Sequence, residues 1–413
     1  MFLETVLLVF LGVSIGILAG ITPGIHINTM IPLLLSLSFL FPNPYYIAIL
    51  IVSVSCTEMF IDYIPSIFIG APDTDTALSV LPGHRLLFEG RGYEAIKLTV
   101  VGGLGALLFG LLTIAFISNI FSFLYEVSRP YMHYIIAIVV VFMVTSEKKS
   151  KKILSAVLII SLSGFFGFLT LNSSIMPQED ILFPVFTGMF GLSGLIISLS
   201  ERSSIPKQGN DSKLKISKKE MIKSIVLASL AGIMVGFLPA VGISEAATMV
   251  QYLGGSGESR SFLITVSGIN VANDAFSLIS LYLVSNPRSG ASVAIQKILT
   301  ELTFFDTLFL IGVILFAAGI AAMLTLYLGK NIPKFLIKLN YRYLTLFVIT
   351  FIVVLVFLLT GFFGLLVLFT STAIGMLCVF LEIRRSHCIG ILLIPTILFF
   401  AELNPFVVSA LGI

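Results

Sequence analysis

Charge is scarce in this chain. Asp, Glu, Lys and Arg make up 11% of its 413 residues, whereas about a quarter of the residues of a soluble domain are charged. Hydrophobic residues account for 57% of the chain, and the mean hydropathy is +1.09. No stretch is polar enough to form a soluble domain. The composition therefore indicates an all-α polytopic protein of the cell membrane, with membrane lipid around it.

Cysteine is nearly absent too. Cys56, Cys378 and Cys388 lie in or beside apolar runs, and their spacing fits neither a disulfide framework nor a zinc site. The chain also lacks a phosphate-binding lysine motif and a nucleophile triad. Its net charge of +3 comes from Lys and Arg in short loops, which does not suit nucleic acid. We therefore predict that the protein is not an enzyme, has no cofactor and binds no nucleic acid.

The sequence repeats itself. "GILAGITPGIHINTMIPLL" from Gly16 recurs as "GIMVGFLPAVGISEAATMV" from Gly232, and a second block beginning at Ser55 recurs from Ile269. Both blocks keep register to within one residue. Paired halves with interrupted hydrophobic segments are typical of secondary transporters whose binding site lies between two repeats. We predict repeat 1 over residues 1–205, a basic cytoplasmic linker over 206–220 and repeat 2 over 221–413.

Fourteen apolar segments follow from the hydropathy pattern, seven in each repeat. In repeat 1 they cover residues 2–19, 27–41, 45–69, 95–120, 131–145, 153–171 and 181–199. In repeat 2 they begin near residues 222, 243, 262, 304, 343, 363 and 389. The second and ninth are short, so the pattern leaves open whether they span the membrane or are re-entrant.

The basic loops test the topology independently, because cytoplasmic loops hold the excess of Lys and Arg. Basic loops follow segments three, five, seven, eleven and thirteen, all odd and hence on one side of the membrane. An odd number of segments per repeat places the second repeat in the opposite orientation. The pattern thus predicts two inverted-topology repeats with broken or re-entrant helices, and both termini outside.

The first candidate site is the proline break in each repeat. Proline lacks an N–H group and disfavours helix just before itself, so it exposes half-helix ends that suit an anion at the N-terminal end and a cation at the C-terminal end. The alternative is a kink satisfied by Ser and Thr packing. The candidate substrate-binding residues here are Thr22, Pro23, Gly24, His26, Asn28 and Thr29, with Ser244, Glu245 and Thr248 in the second repeat.

The third segment of each repeat carries polar residues inside an apolar run. Charged side chains in the middle of a bilayer cost about 2.5–3.5 kcal/mol each on insertion scales, so they should face the bundle interior. We predict a sodium or proton site, with buried interhelical hydrogen bonding as the alternative. The ion-coupling candidates are Ser55, Glu58 and Asp62, with Asn270, Asn273 and Asp274 in the second repeat.

A second break follows each third segment, at Pro72 and at Pro287, before small and hydroxyl residues. An acidic pair could coordinate a cation and an arginine could hold an anionic substrate, or both could be interface charges in a loop. The further candidates are Asp73 and Asp75 for the ion, and Thr74, Thr76, Arg288 and Ser289 for the substrate.

The segments "GILAGITPGIHINTM" and "YIPSIFIGAPDTDTALSVLPGHRLLFEGRGYEAIKL" resemble the large membrane subunit of the tripartite tricarboxylate transporters, the TctA family. The likeness covers most of the chain through its two repeats. It implies uptake of small carboxylates driven by a cation gradient, with a small membrane subunit and an extracytoplasmic binding protein as partners. It also places the Pro23–Gly24 turn and residues 72–76 close to the substrate.

The sequence thus predicts a secondary transporter of a small organic anion such as a di- or tricarboxylate, coupled to Na⁺ or H⁺. Alternating access is predicted to come from one repeat moving against the other. Homo-oligomers of such a protein are also compatible with the sequence. One alternative is a carrier of a polyprenyl-phosphate lipid, in which the same helix ends would bind phosphate. Another is a membrane-embedded hydrolase using Asp62, Asp73 or Asp75, which the lack of a surrounding catalytic motif disfavours.

Overall fold

The computed structural model describes residues 2–22, 27–36, 41, 43–70, 76–147, 149–173, 178–200, 206, 208–209, 213–237, 242–253, 258–285, 287, 289–299, 302–336 and 341–411. Within these residues the regular secondary structure is helical. The helices of the first half are α1 (Phe2–Ile21), α2 (Ile27–Ser36), α3 (Pro44–Ile61), α4 (Tyr63–Phe68), α5 (Val80–Phe88), α6 (Gly92–Ser128), α7 (Met132–Thr145), α8 (Ser150–Leu171), α9 (Gln178–Phe186) and α10 (Ser193–Ser200).

The second half continues with another eight α-helices. These are α11 (Lys218–Phe237), α12 (Ile243–Leu253), α13 (Ser259–Val284), α14 (Gly290–Ile298), α15 (Phe304–Leu336), α16 (Tyr341–Phe380), α17 (Gly390–Phe400) and α18 (Asn404–Leu411). Short 3₁₀ turns lie at Ala77–Ser79, Arg129–Tyr131 and Arg385–Ile389, and a π-helical turn at Thr187–Leu192 joins α9 to α10.

The helix boundaries agree with the predicted apolar segments to within a few residues over most of the chain. The clearest difference is α16, which runs through the two segments predicted from residues 343 and 363. Gly361, between them, is the one interruption, with φ 65° and ψ −159°. That backbone conformation is open to glycine because it has no Cβ. The short helices α5, α14 and α18 were not predicted as segments.

The second segment of each repeat forms a helix that is too short to cross a membrane by itself. Helix α2 has 10 residues and α12 has 11, which at 1.5 Å per residue gives about 15 Å, half of a hydrocarbon core of about 30 Å. The fourteen segments are therefore not fourteen helices that each span the membrane alone. In the described part of the chain, seven helices are long and apolar enough to span: those within 2–21, 44–68, 92–113, 150–171, 259–283, 304–333 and 345–380.

Two of these seven helical stretches form the centre of the molecule. Within the stretches at 44–68 and 259–283 a segment of 18 residues is wholly buried, whereas 28–56% of such a segment is buried in the other five. Leu7, Leu112 and Leu358, which lie on three of those five helices, are each at least 60% exposed, as expected for lipid-facing side chains. Helices α3, α4 and α13 are therefore shielded from lipid by the rest of the protein.

The first helix of each half packs closely against the central helix of the same half. A Cβ built on Gly16 would stand 2.7 Å from the Cβ of Thr57 in α3, and one on Gly20 would stand 2.8 Å from that of Ile61. The contact pattern G-x₃-G lets two backbones approach at this distance. Since residue numbers rise together along both helices, α1 and α3 run parallel.

Helices α11 and α13 repeat this arrangement. A Cβ on Gly232 would stand 2.7 Å from that of Ala272, and one on Gly236 would stand 2.6 Å from that of Phe276. These helices also run parallel.

Each central helix also packs against a long helix of the other half. The Tyr45 hydroxyl at the start of α3 donates to Asp306 at the start of α15 (2.6 Å), and Cys56 contacts the backbone carbonyl of Ile314. In the reciprocal pair, Gly102 of α6 lies against the backbone of Ile264 in α13. The two halves are therefore interlocked through their centres.

A second group of helices, α7 to α10 with α16 and α17, is interlocked in the same way. Gly167 of α8 lies against the backbone of Ile391 in α17, and Gly375 of α16 lies against the backbone of Met189 in the π turn. This group again draws helices from both halves of the chain.

Several basic loops meet at one end of the molecule, which we call the basic end. Lys152 donates to the backbone carbonyl of Glu382 (2.6 Å), and Arg91 donates to that of Lys213 (3.4 Å). At the same end, Gly329 of α15 contacts Ile96 of α6. The contact of Lys152 joins the loops that follow predicted segments five and thirteen. The contact of Arg91 joins the loops that follow predicted segments three and seven.

Candidate functional site

The polar residues of α3 lie inside the protein, in the buried segment of this central helix. Ser55, Glu58 and Asp62 are 0%, 2% and 5% exposed. Their spacing of three and four residues places them on one face of the helix. The helix is continuous as far as Ile61, and Asp62 joins α3 to α4 with helical dihedral angles.

The polar residues of α13 are buried to the same degree. Asn270, Asn273 and Asp274 are 1%, 8% and 4% exposed, and Ser277 is fully buried. Asp274 interacts electrostatically with Cys56 of α3, so the polar stretches of the two central helices meet.

Gly103 of α6 lies at the crossing of the two central helices. A Cβ built there would stand 2.9 Å from both Phe60 of α3 and Val271 of α13. The electrostatic interaction between Cys56 of α3 and Asp274 of α13 pairs a lower number on α3 with a higher number on α13. Helices α3 and α13 therefore cross in opposite directions, although each runs parallel to the first helix of its own half.

In each half, the last residue of the buried polar stretch forms a hydrogen bond with a residue at the start of the short helix that follows the second proline break. In the first half, the Thr76 hydroxyl donates to Asp62 Oδ2 at 2.7 Å, directly before the 3₁₀ turn that leads into α5. One helical turn further along, Ser66 Oγ and Ser79 Oγ lie 2.8 Å apart. The chain beyond α4 therefore returns to the level of Asp62 before α5 begins.

In the second half, Ser277 plays the same structural part at the start of α14. The backbone N–H of Ser289 donates to Ser277 Oγ, and Ser277 Oγ lies 2.7 Å from Ser292 Oγ. Ser289 and Ser292 also form a reciprocal capping box, in which each side-chain oxygen accepts from the other residue's backbone N–H. The start of α14 is thus fixed against the middle of α13.

Three oxygens in this central region have no hydrogen-bond donor among the residues that the structure describes: Ser55 Oγ, Asn270 Oδ1 and Asn273 Oδ1. A buried polar atom without a partner costs free energy, so native proteins satisfy such atoms with water or a ligand. Hydroxyl, amide and carboxylate oxygens are ligands that hard cations prefer. The central region therefore has the chemistry of a cation site.

The other predicted site residues are only partly described. Thr22 donates to the Leu18 carbonyl at the end of α1, and Thr248 donates to that of Ser244 in the first turn of α12. Some lie outside the described residues, namely Pro23, Gly24, His26, Asp73, Thr74, Asp75 and Arg288, and for Asn28, Thr29 and Glu245 the structure describes the helical backbone alone.

A cavity of about 520 Å³ opens at the basic end, between α5, α12 and α13 on one side and α7, the π turn and the loop after α16 on the other. Three arginines line it: Arg85, Arg384 and Arg385. Phe142, Phe190 and Phe262 form an apolar wall. A cavity of this size that combines apolar walls with a few charged groups is typical of small-molecule sites.

Arg385 is the buried member of the three. The residue is 8% exposed, and its Nη1 donates to the Phe190 carbonyl (3.2 Å) and to Ser193 Oγ (3.1 Å). His84 of α5 lies close enough for the guanidinium charge to act on it. Burial first, and the positive charge of Arg385 second, lower the pKa of His84 to about 4, so this imidazole is neutral at physiological pH.

The model of the tripartite tricarboxylate transporter TctA family matches residues 6–390 of this chain. The chain belongs to the TctA family. The resemblance drawn from the sequence motifs is thereby confirmed, and the TctA family is a transporter family rather than a family of enzymes. Together with the seven apolar helices, membership places this TctA protein in the cell membrane as a multi-pass protein.

Among curated proteins, this TctA protein is similar to the uncharacterized protein MJ1079 of Methanocaldococcus jannaschii. The two are 31% identical over 404 residues, which cover 95% of this chain and 98% of the relative. No solved structure matches the chain.

The arginines of the cavity were not among the residues that sequence reasoning singled out in this TctA protein. Arg85, Arg384 and Arg385 were interpreted as cytoplasmic loop charges, because each follows an apolar segment. One signal was available: Arg384 and Arg385 align with an acidic pair in the other repeat, so the repeats differ there. Sequence alone does not distinguish Arg385, which is buried, from its exposed neighbour Arg384.

Proposed function

We propose that this TctA protein is a secondary active transporter of a small organic anion such as a di- or tricarboxylate, coupled to Na⁺ or H⁺. The observation that carries the proposal is the meeting of two polar stretches within the buried segments of α3 and α13. Charged and polar residues at that depth are costly, and in transporters they mark ion and substrate paths.

Two inverted repeats, residues 1–205 and 221–413, joined by a basic cytoplasmic linker over 206–220, are part of this proposal. Three features support the repeats. Gly16 and Gly20 contact α3 in repeat 1. The aligned Gly232 and Gly236 contact the aligned positions of α13 in repeat 2, to within one residue. Asp62 and its counterpart Ser277 each bond the start of the next short helix. Finally, the crossing of α3 and α13 in opposite directions is what inversion requires.

The coupling ion would bind among the oxygens of the central region. Glu58, Asp62 and Asp274 supply carboxylates, and Ser55, Asn270 and Asn273 supply neutral oxygens. Asp73 and Asp75 remain ion-coupling proposals on sequence grounds. A sodium ion would be held by several of these oxygens, whereas a proton would be carried by one of the carboxylates.

The substrate would bind near the helix starts that follow the breaks. The half-helices α2, α12 and α14 begin there, and a helix N-terminus presents backbone N–H groups and a partial positive charge to an anion. This assignment covers Thr22, Pro23, Gly24, His26, Asn28, Thr29, Thr74, Thr76, Ser244, Glu245, Thr248, Arg288 and Ser289.

The family works within tripartite transporters, in which a small membrane subunit and an extracytoplasmic binding protein complete the system. We extend that assembly to this chain. We also propose that alternating access carries the substrate past the central region.

The test is uptake of radiolabelled citrate and succinate into proteoliposomes under an imposed Na⁺ or pH gradient, with and without the two partner subunits. We expect gradient-driven uptake that Glu58→Gln and Asp62→Asn each abolish, because both remove a buried charge from the central region. Glu402→Gln is the matched control, since Glu402 is an exposed carboxylate at a helix end, and it should leave uptake unchanged.

Two results would contradict this proposal. Equal uptake by Glu58→Gln, Asp62→Asn and the control would mean that the central region takes no part in coupling transport to the ion. Transfer of a polyprenyl phosphate between leaflets, without carboxylate uptake under any gradient or with any partner, would replace the carboxylate transporter with a lipid carrier.

A further inference from the structure

Arg385 differs from the other arginines that are largely buried at the basic end. Arg91 and Arg260 have side chains that are each 15% exposed, and both pair with Glu94, at 2.6 Å and 3.2 Å. Arg260 also pairs with Glu89 and Glu258. These two arginines are neutralised within the protein.

Arg385 is more buried than either and has no such neutralisation. Its two acceptors, the Phe190 carbonyl and Ser193 Oγ, are uncharged, and both bind Nη1. Among the described residues no carboxylate lies within 4 Å of it, and the donors on Nε and Nη2 have no acceptor. A guanidinium has five N–H donors in a planar fork that fits a carboxylate through two parallel hydrogen bonds.

A buried charge without a counter-ion is destabilising, because the charge loses its hydration and gains little in return. Arg385 nonetheless lines an open cavity rather than a packed core. A fold that keeps the positively charged guanidinium of Arg385 in this position is suited to binding an anionic ligand.

The rest of the cavity fits an anion that carries more than one negative group. Arg384 and Arg85 lie at its exposed rim, where Arg384 stacks on the Tyr252 ring (5.5 Å) and Arg85 forms only a solvent-exposed pair with Glu89. The one carboxylate that lines the cavity, Glu258, is engaged by Arg260 at 3.2 Å. Positive charge therefore predominates both at the buried end and at the rim.

We propose that Arg385 binds one carboxylate group of the transported substrate at the basic end, while Arg384 and Arg85 attract a second carboxylate of the same molecule. This site fits the small di- or tricarboxylate of the proposed function, because a monocarboxylate would leave the rim arginines without a partner. This inference rests on the proposed transport function, but it assigns a site separate from the helix breaks and from the central region.

The experiment measures ligand binding to the purified full-length protein by calorimetry and by thermal unfolding, with citrate, succinate, acetate and inorganic phosphate as probes. We expect citrate and succinate to bind more tightly than acetate. We expect Arg385→Gln to weaken citrate binding roughly tenfold to a hundredfold, the range for hydrogen bonds to charged groups. Lys219→Gln removes one exposed positive charge at the start of α11 and should change affinity less than twofold.

The stability of the unliganded variant separates a binding role from a structural one. If Arg385 serves the ligand, Arg385→Gln removes an uncompensated buried charge, and the melting temperature without ligand stays the same or rises. If Arg385 instead holds the π turn through Phe190, the variant melts lower and its affinity for citrate is unchanged, which would overturn the proposal. Binding of phosphate alone would also overturn it.

A measurement on the wild-type protein does not depend on folding of any variant. Phenylglyoxal modifies arginine side chains, and the modified residues can be mapped by mass spectrometry. We expect citrate to slow the modification of Arg385 while leaving that of Arg342 unchanged. Equal rates with and without citrate would contradict the site.

Transport assays distinguish failure of this site from failure of the proposed function. If the wild-type protein carries citrate and Arg385→Gln carries it equally well with the same KM, the function stands and the site is wrong. If the wild-type protein carries no carboxylate under any gradient or with any partner, the function is wrong, and protection of Arg385 by citrate then tests binding by itself.

Discussion

Replacing Gly102 by alanine tests the interlocking of the two halves. Gly102 of α6 faces α13, and a Cβ built on it would stand 2.3 Å from the backbone carbonyl oxygen of Ile264 and 2.3 Å from Ser267 Oγ. Real Cβ contacts are rarely shorter than 3.0 Å, so the two helices must separate by several tenths of an ångström. Because Ile264 contributes backbone, rotation of a side chain cannot relieve the contact.

The magnitude follows from two opposing terms. Overpacking of a well-packed interior costs about 1–3 kcal/mol, while glycine to alanine within a helix contributes about 0.5–1 kcal/mol in the opposite direction. For Gly102→Ala we expect the free energy of unfolding to fall by about 2 kcal/mol in total. The overpacking cost lies near the upper end of its range because backbone has to move. Gly312→Ala is the matched control, because a Cβ on Gly312 of α15 meets nothing within 4 Å. It should leave stability unchanged or raise it by up to about 1 kcal/mol.

The assay is reversible unfolding in mixed micelles of increasing SDS content, followed by circular dichroism and compared at a single reference temperature. A difference of about 2–3 kcal/mol between the two variants corresponds to a factor of more than ten in the folding equilibrium constant. If Gly102→Ala proved as stable as Gly312→Ala, α6 and α13 would not be in contact at this position, and the interlocked arrangement would be refuted.

Two further predictions concern the region around the cavity. The pKa of His84 is about 4 in the folded protein, against a value near 6.5 in the unfolded chain. The unfolded state therefore binds the proton first as the pH drops below 6.5. The free energy of unfolding falls over this range, by up to about 2 kcal/mol at pH 5. His84→Gln should flatten this pH dependence of the melting temperature, and an unchanged slope would contradict the burial of His84. Cys378 Sγ and Cys388 Sγ are 3.2 Å apart, so a membrane-permeant oxidant such as diamide should join them. A maleimide added after denaturation should then label Cys56 alone, whereas three labelled thiols would show that this pair does not form.

The helix pattern of this protein could be predicted from its sequence because hydropathy and proline breaks are local signals. The start of α12 at Ile243 and of α15 at Phe304 coincide with the predicted segment starts. Helices α5 and α14 were missed because they are only nine residues long. The continuity of α16 through Gly361 could not be predicted either, since the same glycine is equally compatible with a turn.

The central polar stretch could be located from the sequence, but its connections could not. The spacing of Ser55, Glu58 and Asp62 and the cost of charge in a bilayer predict an inward face, and the structure buries all three. The bond from Thr76 to Asp62 depends on how far the chain returns after α4, which is a tertiary property. The same holds for Arg385, whose hydrogen-bond partners lie in the π turn and at the start of α10, far away in sequence.

The packing also bears on how alternating access would occur. Helices α1 and α3 are interlocked with α15, and α11 and α13 with α6, so these helices of the two repeats form a single group. Helices α7 to α10 form a second group with α16 and α17. A movement of one whole repeat against the other would have to break both sets of close contacts. These contacts favour a movement of the two groups relative to each other over the movement of whole repeats that the sequence predicts, and the cavity that contains Arg385 lies between the two groups.

Pairs of spin labels distinguish the two kinds of movement. Leu81 of α5 and Phe142 of α7 line opposite sides of the cavity and are exposed. Helix α5 packs through Gly83 on Ile67 of α4, which continues α3, so it belongs to the first group, whereas α7 belongs to the second group of the same repeat. Leu7 of α1 and Leu308 of α15 are exposed, and they belong to different repeats of the same group. We expect citrate to change the first distance and not the second. A change in the second distance alone would mean that the repeats move as whole bodies, and that the close contacts between α1, α3 and α15 separate during transport.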